Sequence, residues 1–467
     1  MVKCCPLRLT VVILTSLGFA ILYGIRVNIA MTIVRMVKRT NGNNSNISKI
    51  IEGPCGNRTV NKKDLNEGEY EWSNELQGVI LSSYYWGYMV VMIPGARLSE
   101  LSSVKWVWFG AVVINMIGSL ITPICADFHY GALLAVRIMQ GFAGGILITA
   151  MPLILGRWVP VHERNTMSGI TFSGAMVGLV ASTVTTGLIE IHLGWKAVFY
   201  VMGGACVPYL IAWVVFLADF PEKSNLINQE ELEMILNSLG DTKGGYKKKI
   251  VIYWKRIFKS IPFWGLVITH GCANWVGYFL ATDLAIYMDK VFQVDMDYIT
   301  IYIASGGTAS WIFSIALGRT LDYLRKYKNY TQTTSKRIAT IVSYGPMSTF
   351  FCIMAFVGCH TTLGIVLCIL IYMAFGGTYC GWLSNHVDIG PKIAATLMAL
   401  TNTVGTVSGI VVPIFVGAII GDGLDINSWF IIYLVTAGFA ILVLLFFLLM
   451  CSGENQNYYD EVEVTSN

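Results

Sequence analysis

The feature that most constrains the fold is a series of about twelve apolar stretches, each near the ~20 residues that a helix needs to cross a bilayer. A helix rises about 1.5 Å per residue, and in the hydrocarbon layer its backbone groups must bond to one another because no water is available. Only 13% of the residues are charged and 55% are hydrophobic, whereas a soluble domain carries about 25% charged residues. The sequence therefore predicts an all-α polytopic membrane protein.

The predicted spans form two sets of six, separated by a polar segment. The first set lies near Leu9–Val34, Gly78–Leu98, Val104–Cys125, Tyr130–Leu155, Met167–Ile189 and Ala197–Leu217, and the second near Phe263–Tyr287, Ile299–Leu317, Ile338–Cys359, Leu363–Leu383, Ala394–Ile420 and Ser428–Met450. We therefore expect an N-terminal six-helix half over residues 1–218 and a C-terminal half over 260–451. A cytosolic linker would occupy 219–259 and a cytosolic acidic tail 452–467.

The charges of the connections predict the orientation. Lysine and arginine crowd the connections on one side, whereas the opposite connections carry acids and few bases. By the positive-inside rule, both termini and the central segment are cytosolic. The loop 37–72 then faces the lumen or the outside, and it holds three glycosylation sequons, at Asn43, Asn46 and Asn57. Their location agrees with the orientation predicted from charge.

Several classes of function find no support in the sequence. The eleven cysteines are scattered, mostly within the spans, with only Cys55 in a long loop, so no disulfide framework or zinc site is indicated. No nucleotide-binding loop, metalloprotease motif or dinucleotide fingerprint occurs. We expect no metal, no cofactor, no nucleic-acid partner and no enzymatic activity.

An arginine inside the first span, Arg26, requires an explanation. A guanidinium in the hydrocarbon layer costs at least ~2.5–3.5 kcal/mol on insertion scales, and arginine cannot discard its proton. Two interpretations follow: an arginine that binds an anionic ligand, or a structural ion pair within the bundle. The neighbouring sequence offers no carboxylate, which favours the anion-binding interpretation.

Other polar residues within the spans extend this hypothesis. Arg137, in the fourth span, lies at about the same depth as Arg26, so the two could hold one anion from two helices. Tyr23, one turn from Arg26, could donate a hydrogen bond. Asn402, in the eleventh span, is a candidate partner for phosphate, carboxylate or sugar oxygens, or else a helix-packing residue. The segment Ser82-Ser-Tyr-Tyr-Trp-Gly-Tyr could wall a pocket or serve packing.

Three residues within the spans could titrate. Asp283, about midway along the seventh span, could couple transport to a cation, neutralise one of the arginines, or lie at a solvated helix end. His270 and His386 could change charge near neutral pH, but a lone histidine in a helix bundle is more often a hydrogen-bonded structural residue.

The connections on the basic side contain a repeated motif, first as Pro94-Gly-Ala-Arg-Leu-Ser-Glu-Leu-Ser-Ser-Val-Lys between the second and third spans and again between the eighth and ninth. The segment Gly318-Arg-Thr-Leu-Asp-Tyr-Leu-Arg-Lys has the G-x-x-x-D-x-x-R form and resembles the loop signature of the major facilitator superfamily. Asp322 and Arg325 within it could pair across helix ends and hold one face closed. On the same side, Glu163, Arg164 and Asp388 are further candidates for a gate. The alternative is a basic loop that reflects topology alone.

The chain resembles the solute carrier 17 family, which comprises vesicular glutamate transporters, sialin and sodium/phosphate cotransporters. The resemblance is carried by collinear segments that include Ile21-Leu-Tyr-Gly-Ile-Arg-Val-Asn, Gln77-Gly-Val-Ile-Leu-Ser-Ser-Tyr-Tyr-Trp-Gly-Tyr, Val136-Arg-Ile-Met-Gln-Gly, Gly194-Trp-Lys-Ala-Val-Phe-Tyr and Asn385-His-Val-Asp-Ile-Gly-Pro. It implies a major-facilitator anion transporter, with twelve helices in two pseudo-symmetric halves. Arg26 and Arg137 would then occupy the family's substrate and gating arginine positions.

Departures from the family pattern narrow the expected function. Where proton-coupled members carry a glutamate seven residues after the fourth-span arginine, this chain has Gly144, and Leu81 and Ala273 replace a histidine and an arginine of the vesicular glutamate transporters. The resemblance therefore implies sodium-coupled or potential-driven cotransport of phosphate or an organic anion. A proton-coupled lysosomal exporter of acidic sugars and a receptor-like protein that does not transport are the alternatives. We expect a small anionic substrate, a coupling cation (sodium or proton), a plasma or lysosomal/vesicular membrane, and a functional monomer.

Overall fold

The computed structural model describes residues 6–38, 49–60, 68–240, 248–420 and 426–463. Two of the predicted glycosylation sites, Asn43 and Asn46, lie outside these ranges.

Six long helices form the N-terminal half. They are α1 (Leu7–Met36), α2 (Asn74–Leu101), α3 (Val104–Phe128), α4 (Tyr130–Trp158), α5 (Arg164–Leu193) and α6 (Trp195–Phe216). Serine side chains begin two of them: Ser73 accepts from the amide of Leu76, and Ser103 accepts from that of Trp106. The helices pack chiefly as the pairs α2 with α4 and α1 with α5.

The C-terminal half is also helical, and two short helices precede it. These are α7 (Gln229–Leu239) and α8 (Trp254–Lys259); the half itself contains α9 (Ile261–Lys290), α10 (Met296–Lys328), α11 (Gln332–Ala355), α12 (Thr361–Phe375), α13 (Gly377–Cys380), α14 (Asn385–Ile389), α15 (Ala394–Thr406), α16 (Ser408–Ile420) and α17 (Ile426–Met450). Within the described ranges, eleven segments are long and apolar enough to cross a membrane. Helix α9, with 30 residues, is the twelfth of sufficient length. The predicted all-α polytopic fold is confirmed.

Two predicted spans are not single helices. The tenth is interrupted after Phe375 and again between Cys380 and Asn385, and the eleventh changes from α15 to α16 at Val407. Gly376 lies at the first interruption, where an added Cβ would overlap the carbonyl oxygen of Ser310. In transport proteins, broken helices of this kind accompany binding sites near the middle of the membrane. Hydropathy alone could not reveal these interruptions, because the segments that contain them remain apolar on average.

One end of the bundle, here named the terminal face, gathers the start of α1, the central segment and the tail. Strand β3 (Lys248–Ile252) of the central segment pairs antiparallel with a tail strand at Tyr459–Glu463. Arg8 forms ion pairs with Glu163 at 2.8 Å and with Glu231 of α7 at 2.9 Å. The described strands of the predicted linker and tail therefore contact each other on this face.

The opposite end, here named the hairpin face, carries a two-stranded ribbon that connects α1 to α2. The ribbon consists of β1 (Lys49–Gly53) and β2 (Gly56–Val60), the latter containing the backbone of Asn57; the tail strand is accordingly β4. Cys55, at the turn of the ribbon, forms a disulfide with Cys359, which lies between α11 and α12. The sequence indicated no disulfide framework, and this single bond was not predicted. The two cysteines are 304 residues apart, so their spacing gave no sign of the bond.

Each half contains a large hydrophobic core, and the N-terminal core also takes in residues of α13, α14 and α15, where the halves meet. Helix α5 packs on α10, and α15 packs on both α2 and α4. The cores are centred on different sets of large side chains, among them Trp108 and Trp213 in the N-terminal half and Phe279 and Tyr433 in the C-terminal half. The polar residues predicted from sequence lie mainly along this junction between the halves.

Candidate functional site

Arg26 lies in a cluster of tyrosine rings, here named the tyrosine cluster. Its Nη2 donates to the Tyr85 hydroxyl at 2.8 Å, and its guanidinium carbon lies 4.8 Å from that ring. The rings of Tyr23, Tyr84 and Tyr88 lie 5.3–5.9 Å from the same carbon. The electron-rich faces of aromatic rings attract a cation by about 0.5–2 kcal/mol each, so the cluster offsets part of the insertion cost. Within the described ranges, no carboxylate pairs with Arg26.

Arg137 lies directly beside Arg26 but in a different environment. It is 3% exposed, whereas Arg26 is half-buried. Its Nη1 donates to Gln140 at 3.0 Å and its Nη2 donates to the backbone carbonyl of Arg26 at 3.3 Å. The ring of Tyr84 lies 5.1 Å from the guanidinium of Arg137 and also contacts Arg26. Arg137 therefore braces the backbone of α1, while Arg26 is the more accessible of the two cations.

The C-terminal half also contributes to the surroundings of Arg26. Asn402 donates its side-chain amide to the Tyr88 hydroxyl at 2.8 Å and is 5% exposed. Tyr278 of α9 lies 6.3 Å from the Tyr85 ring and interacts electrostatically with Arg26. Asn402 thus contacts the tyrosine cluster and not Arg26 itself. Sequence reasoning missed Tyr278, because a single tyrosine in a span carries no distinguishing signal.

The sequence allows three alternatives for Asp283: coupling to a cation, neutralisation of an arginine, or a solvated helix end. Its side chain is buried, so a solvated helix end does not apply. It accepts a hydrogen bond from Thr282 at 2.7 Å, and within the described ranges no arginine or lysine pairs with it. An unneutralised buried carboxylate is costly, so the ion-pair alternative finds no partner here, and a role in cation coupling stays a prediction.

At the terminal face, the two halves are joined by a buried ion cluster, here named the gate cluster. Arg164 at the start of α5 donates to Asp388 of α14 at 3.0 Å, and Lys336 of α11 lies 3.4 Å from the other oxygen of Asp388. Lys336 also donates to Asn165 in the N-terminal half, at 2.9 Å. Gln332 adds a fourth contact, to Asp388, at 3.0 Å. All the charged members are at most 3% exposed.

Two acidic side chains, one from each half, also join the halves at the terminal face. Each accepts hydrogen bonds near the start of a helix in the other half. Asp322, at the end of α10, accepts from the amides of Asn165 and Thr166 at 3.2 and 2.8 Å, at the start of α5. Glu100, at the end of α2, accepts from the amide and hydroxyl of Thr396 at 2.7 Å, near the start of α15. Each half thus places a carboxylate on the positive end of a helix in the other half. Sequence reasoning overlooked Glu100, although it lies in the repeat of the Asp322 motif.

Of the two remaining gate candidates, Arg325 contacts the other half and Glu163 does not. Arg325 donates to the carbonyl of Val161 at 2.5 Å and so contacts the N-terminal half. Glu163 pairs with Arg8, within the N-terminal half, and does not join the two halves. A cavity of about 600 Å³ opens on the terminal side of the gate cluster, with Arg164 and Asp388 in its wall. The gate cluster therefore closes the terminal face in this conformation.

Comparisons with known proteins agree with this architecture. The family profile of the Major Facilitator Superfamily matches residues 11–413. The chain belongs to this superfamily. As a facilitator it is a membrane transporter and not an enzyme, and the predicted resemblance to the solute carrier 17 family is confirmed by the relatives.

Relatives are similar over almost the whole facilitator chain. Human sialin is 30% identical over 97% of this chain and 91% of its own length. Human vesicular glutamate transporter 2 is 29% identical over 98% and 76%. A Drosophila melanogaster protein named "Putative inorganic phosphate cotransporter" is 30% identical over 99% and 88%. Among solved structures, a proton:xylose symporter (TM-score 0.71, 13% identity, covering 97% of this chain and 98% of its own) and the E. coli fucose:proton symporter (0.61, 14%, 96% and 100%) share the fold.

In the facilitator, the Tyr84 side chain leaves no room for a side chain at Gly144. A Cβ at Gly144 would overlap the Tyr84 hydroxyl, which is buried and has no hydrogen-bond partner. We expect Gly144→Ala to displace the Tyr84 ring from both arginines and to lower stability by about 1–3 kcal/mol, as overpacking does. Adding Tyr84→Phe removes the overlapping oxygen and should recover most of that loss. Thermal unfolding of both variants in detergent measures the effect, and equal losses in the single and double variants would contradict it.

Proposed function

We propose that the facilitator carries a small anion, phosphate or an organic carboxylate, by alternating access. The observation that carries the proposal is Arg26: a half-buried cation at the junction of the halves, contacted by tyrosines and, within the described ranges, by no carboxylate. Guanidinium groups bind phosphate and carboxylate through paired hydrogen bonds, and the surrounding hydroxyls add donors. A bound anion would supply the negative charge that Arg26 lacks among its described neighbours.

The proposed cycle follows from the positions of the contacts. With the gate cluster closed, the anion reaches Arg26 from the hairpin face. Its binding neutralises the arginine pair and lowers the repulsion between Arg26 and Arg137. Rocking of the halves then breaks the contacts of Asp388, Asp322 and Glu100 and opens the terminal face. Tyr88 and Asn402 join the two halves beside the site, so they would sense this movement.

The relatives' names give the range of substrates to be tested. One is named for inorganic phosphate and one for glutamate, and sialin stands for the acidic-sugar alternative. Phosphate and carboxylates share the chemistry that Arg26 would recognise. A receptor-like protein without transport is the remaining alternative. It would bind an anion saturably without accumulating it.

Uptake by purified protein in proteoliposomes tests the proposal. Radiolabelled phosphate, glutamate and sialic acid would be offered under separate sodium, proton and voltage gradients. Accumulation of at least one anion above its equilibrium level supports the proposal. Saturable binding without accumulation of any of them favours the receptor alternative. Accumulation of sialic acid driven by protons alone, with phosphate ignored, favours the acidic-sugar exporter.

We propose Asp283 as a coupling residue for the cation, sodium or proton. The Asp283→Asn variant keeps the shape and the Thr282 contact but removes the charge, so it should lose most of the cation stimulation of uptake, about tenfold, while exchange of anion without gradients persists. Asp289→Asn, on the same helix, is the matched control. Full cation stimulation of the Asp283→Asn protein would contradict the assignment.

We propose that the terminal face is cytosolic and that the hairpin face, with the sequons, is luminal or extracellular. The basic residues of the gate side support this orientation. A vesicular, lysosomal or plasma membrane fits a carrier of organic anions. The arginine site and the gate cluster both lie within one chain, so we propose a functional monomer.

A further inference from the structure

Two buried histidines, which the sequence presented as isolated, share one threonine. The Thr401 hydroxyl oxygen lies 2.9 Å from His270 Nδ1 and 2.7 Å from His386 Nε2. The chain has six histidines, and these two are buried whereas the other four are exposed. All three residues are at most 2% exposed. We name this group the histidine bridge.

The hydrogen bonds fix the proton positions in the neutral bridge. His386 Nδ1 lies 2.8 Å from the carbonyl oxygen of Leu383, which can only accept, so this nitrogen carries a proton. In the neutral ring Nε2 is then an acceptor, and the Thr401 hydroxyl must donate to it. Thr401 has a single proton, so His270 Nδ1 must in turn donate to Thr401. Every one of these contacts is satisfied without a charge.

The same geometry can hold one additional proton. If His386 Nε2 binds a proton, it becomes a donor to Thr401, and the hydroxyl can turn to its second acceptor, the carbonyl oxygen of Met398, at 3.2 Å. The threonine oxygen then accepts from both rings through its two lone pairs. The rotation of one hydroxyl therefore accommodates the charged and the neutral bridge.

The bridge contacts both functional regions of the junction. Thr401 precedes Asn402, whose side chain bonds to Tyr88 of the tyrosine cluster and also interacts with His270. His386 lies on α14 together with Asp388 of the gate cluster. His386 and Asp388 lie two residues apart on this helix, and the His386 ring lies 5.7 Å from the His270 ring. A proton on the bridge would thus be felt at both the substrate site and the gate.

We propose that His270, Thr401 and His386 form a proton-binding site that links protonation to the transport cycle. The proton comes from water, forms an N–H bond at His386 Nε2, and returns to water when that bond breaks; no other covalent bond changes. The role as a coupling element rests on the proposed anion transport, whereas proton binding itself does not.

Proton binding can be tested without any substrate. The Trp382 ring lies 4.7 Å from the His270 ring and 6.5 Å from the His386 ring, and a protonated imidazole quenches a neighbouring indole. Purified protein in nanodiscs should show a fluorescence decrease as the pH falls from about 7 to about 4. The decrease should be absent in Trp382→Phe and in His386→Gln, and present in His192→Gln, an exposed control. A decrease unchanged by His386→Gln, or no decrease at all, overturns the proposal.

Coupling is tested with the anion that the wild-type protein accumulates, phosphate being tried first. Thr401→Val keeps the volume but removes the hydroxyl, whereas Thr401→Ser keeps the hydroxyl. We expect Thr401→Val and His386→Gln to reduce pH-gradient-driven uptake at least fivefold while exchange at equal pH stays within twofold, and Thr401→Ser to behave as wild type. Unchanged gradient-driven uptake, or loss of exchange as well, overturns the coupling role. Wild-type protein that accumulates no anion refutes the proposed transport, and the fluorescence result then decides proton binding alone.

Discussion

Arg26→Ala is expected to abolish anion uptake, with a loss of at least about 30-fold, while the protein still reaches the membrane. Truncating one partner of a buried, hydrogen-bonded charge pair costs about 2–5 kcal/mol, which corresponds to roughly 30- to 5,000-fold in affinity. Here the lost partner is the cation that would bind the anion. The fold should tolerate the change, because the charge that is removed is itself expensive in the bilayer.

Lysine at position 26 separates charge from shape. Arg26→Lys keeps the positive charge but loses the planar fork and its packing on Tyr85, so we expect uptake between those of wild type and Arg26→Ala. Arg35→Ala is the matched control, since Arg35 lies on the same helix, is 46% exposed, and reaches Glu190 only at 4.0 Å. The measurement is the uptake of radiolabelled anion, normalised to the amount of protein in the liposomes. Normal uptake by Arg26→Ala would refute the anion-binding role.

The sequence predicts the fold because its main physical signal is local. Apolar length sets the spans, and loop charge sets their predicted direction. The interruption at Gly376 escapes this reasoning, because it depends on the close approach of Ser310 from another helix. The Cys55–Cys359 bond escapes it for the same reason, since only the folded chain brings the two loops together.

The candidate site was predictable in part, and the limit lies at contacts between helices. Arg26 and Arg137 stand out in the sequence because a charge within an apolar span is rare. The difference between the two arginines cannot be seen in the sequence. Only the structure shows that Arg137 donates hydrogen bonds to Gln140 and to the backbone of α1. In the sequence, His270 and His386 are far apart and each favours a structural interpretation, and Thr401 has no distinguishing feature. Threonine is common in membrane helices, so its bridging position has no signature in sequence.

The gate cluster is the second place where a single change should have a large effect. Asp388 holds two cations, Arg164 at 3.0 Å and Lys336 at 3.4 Å, and all three are buried. Removing one partner of a buried ion pair costs about 3–5 kcal/mol, since the remaining charge is uncompensated. In Asp388→Asn two cations from opposite halves would face each other without an anion between them. The terminal-face-closed conformation should therefore lose about 150- to 5,000-fold in population relative to the open one.

Native cysteines report this opening. Cys380 is buried at the junction, where Ser314 contacts its sulfur and Lys336 bonds to its carbonyl, whereas Cys368 is buried inside the C-terminal core. We expect Asp388→Asn to accelerate alkylation of Cys380 at least about 100-fold, with Cys368 unchanged, as measured on peptides by mass spectrometry. Glu71→Gln, which breaks the exposed Lys38–Glu71 pair, should leave both rates within twofold. If Cys380 stays protected, the cluster does not hold the face closed. If both cysteines react faster, Asp388 stabilises the C-terminal core and not the gate.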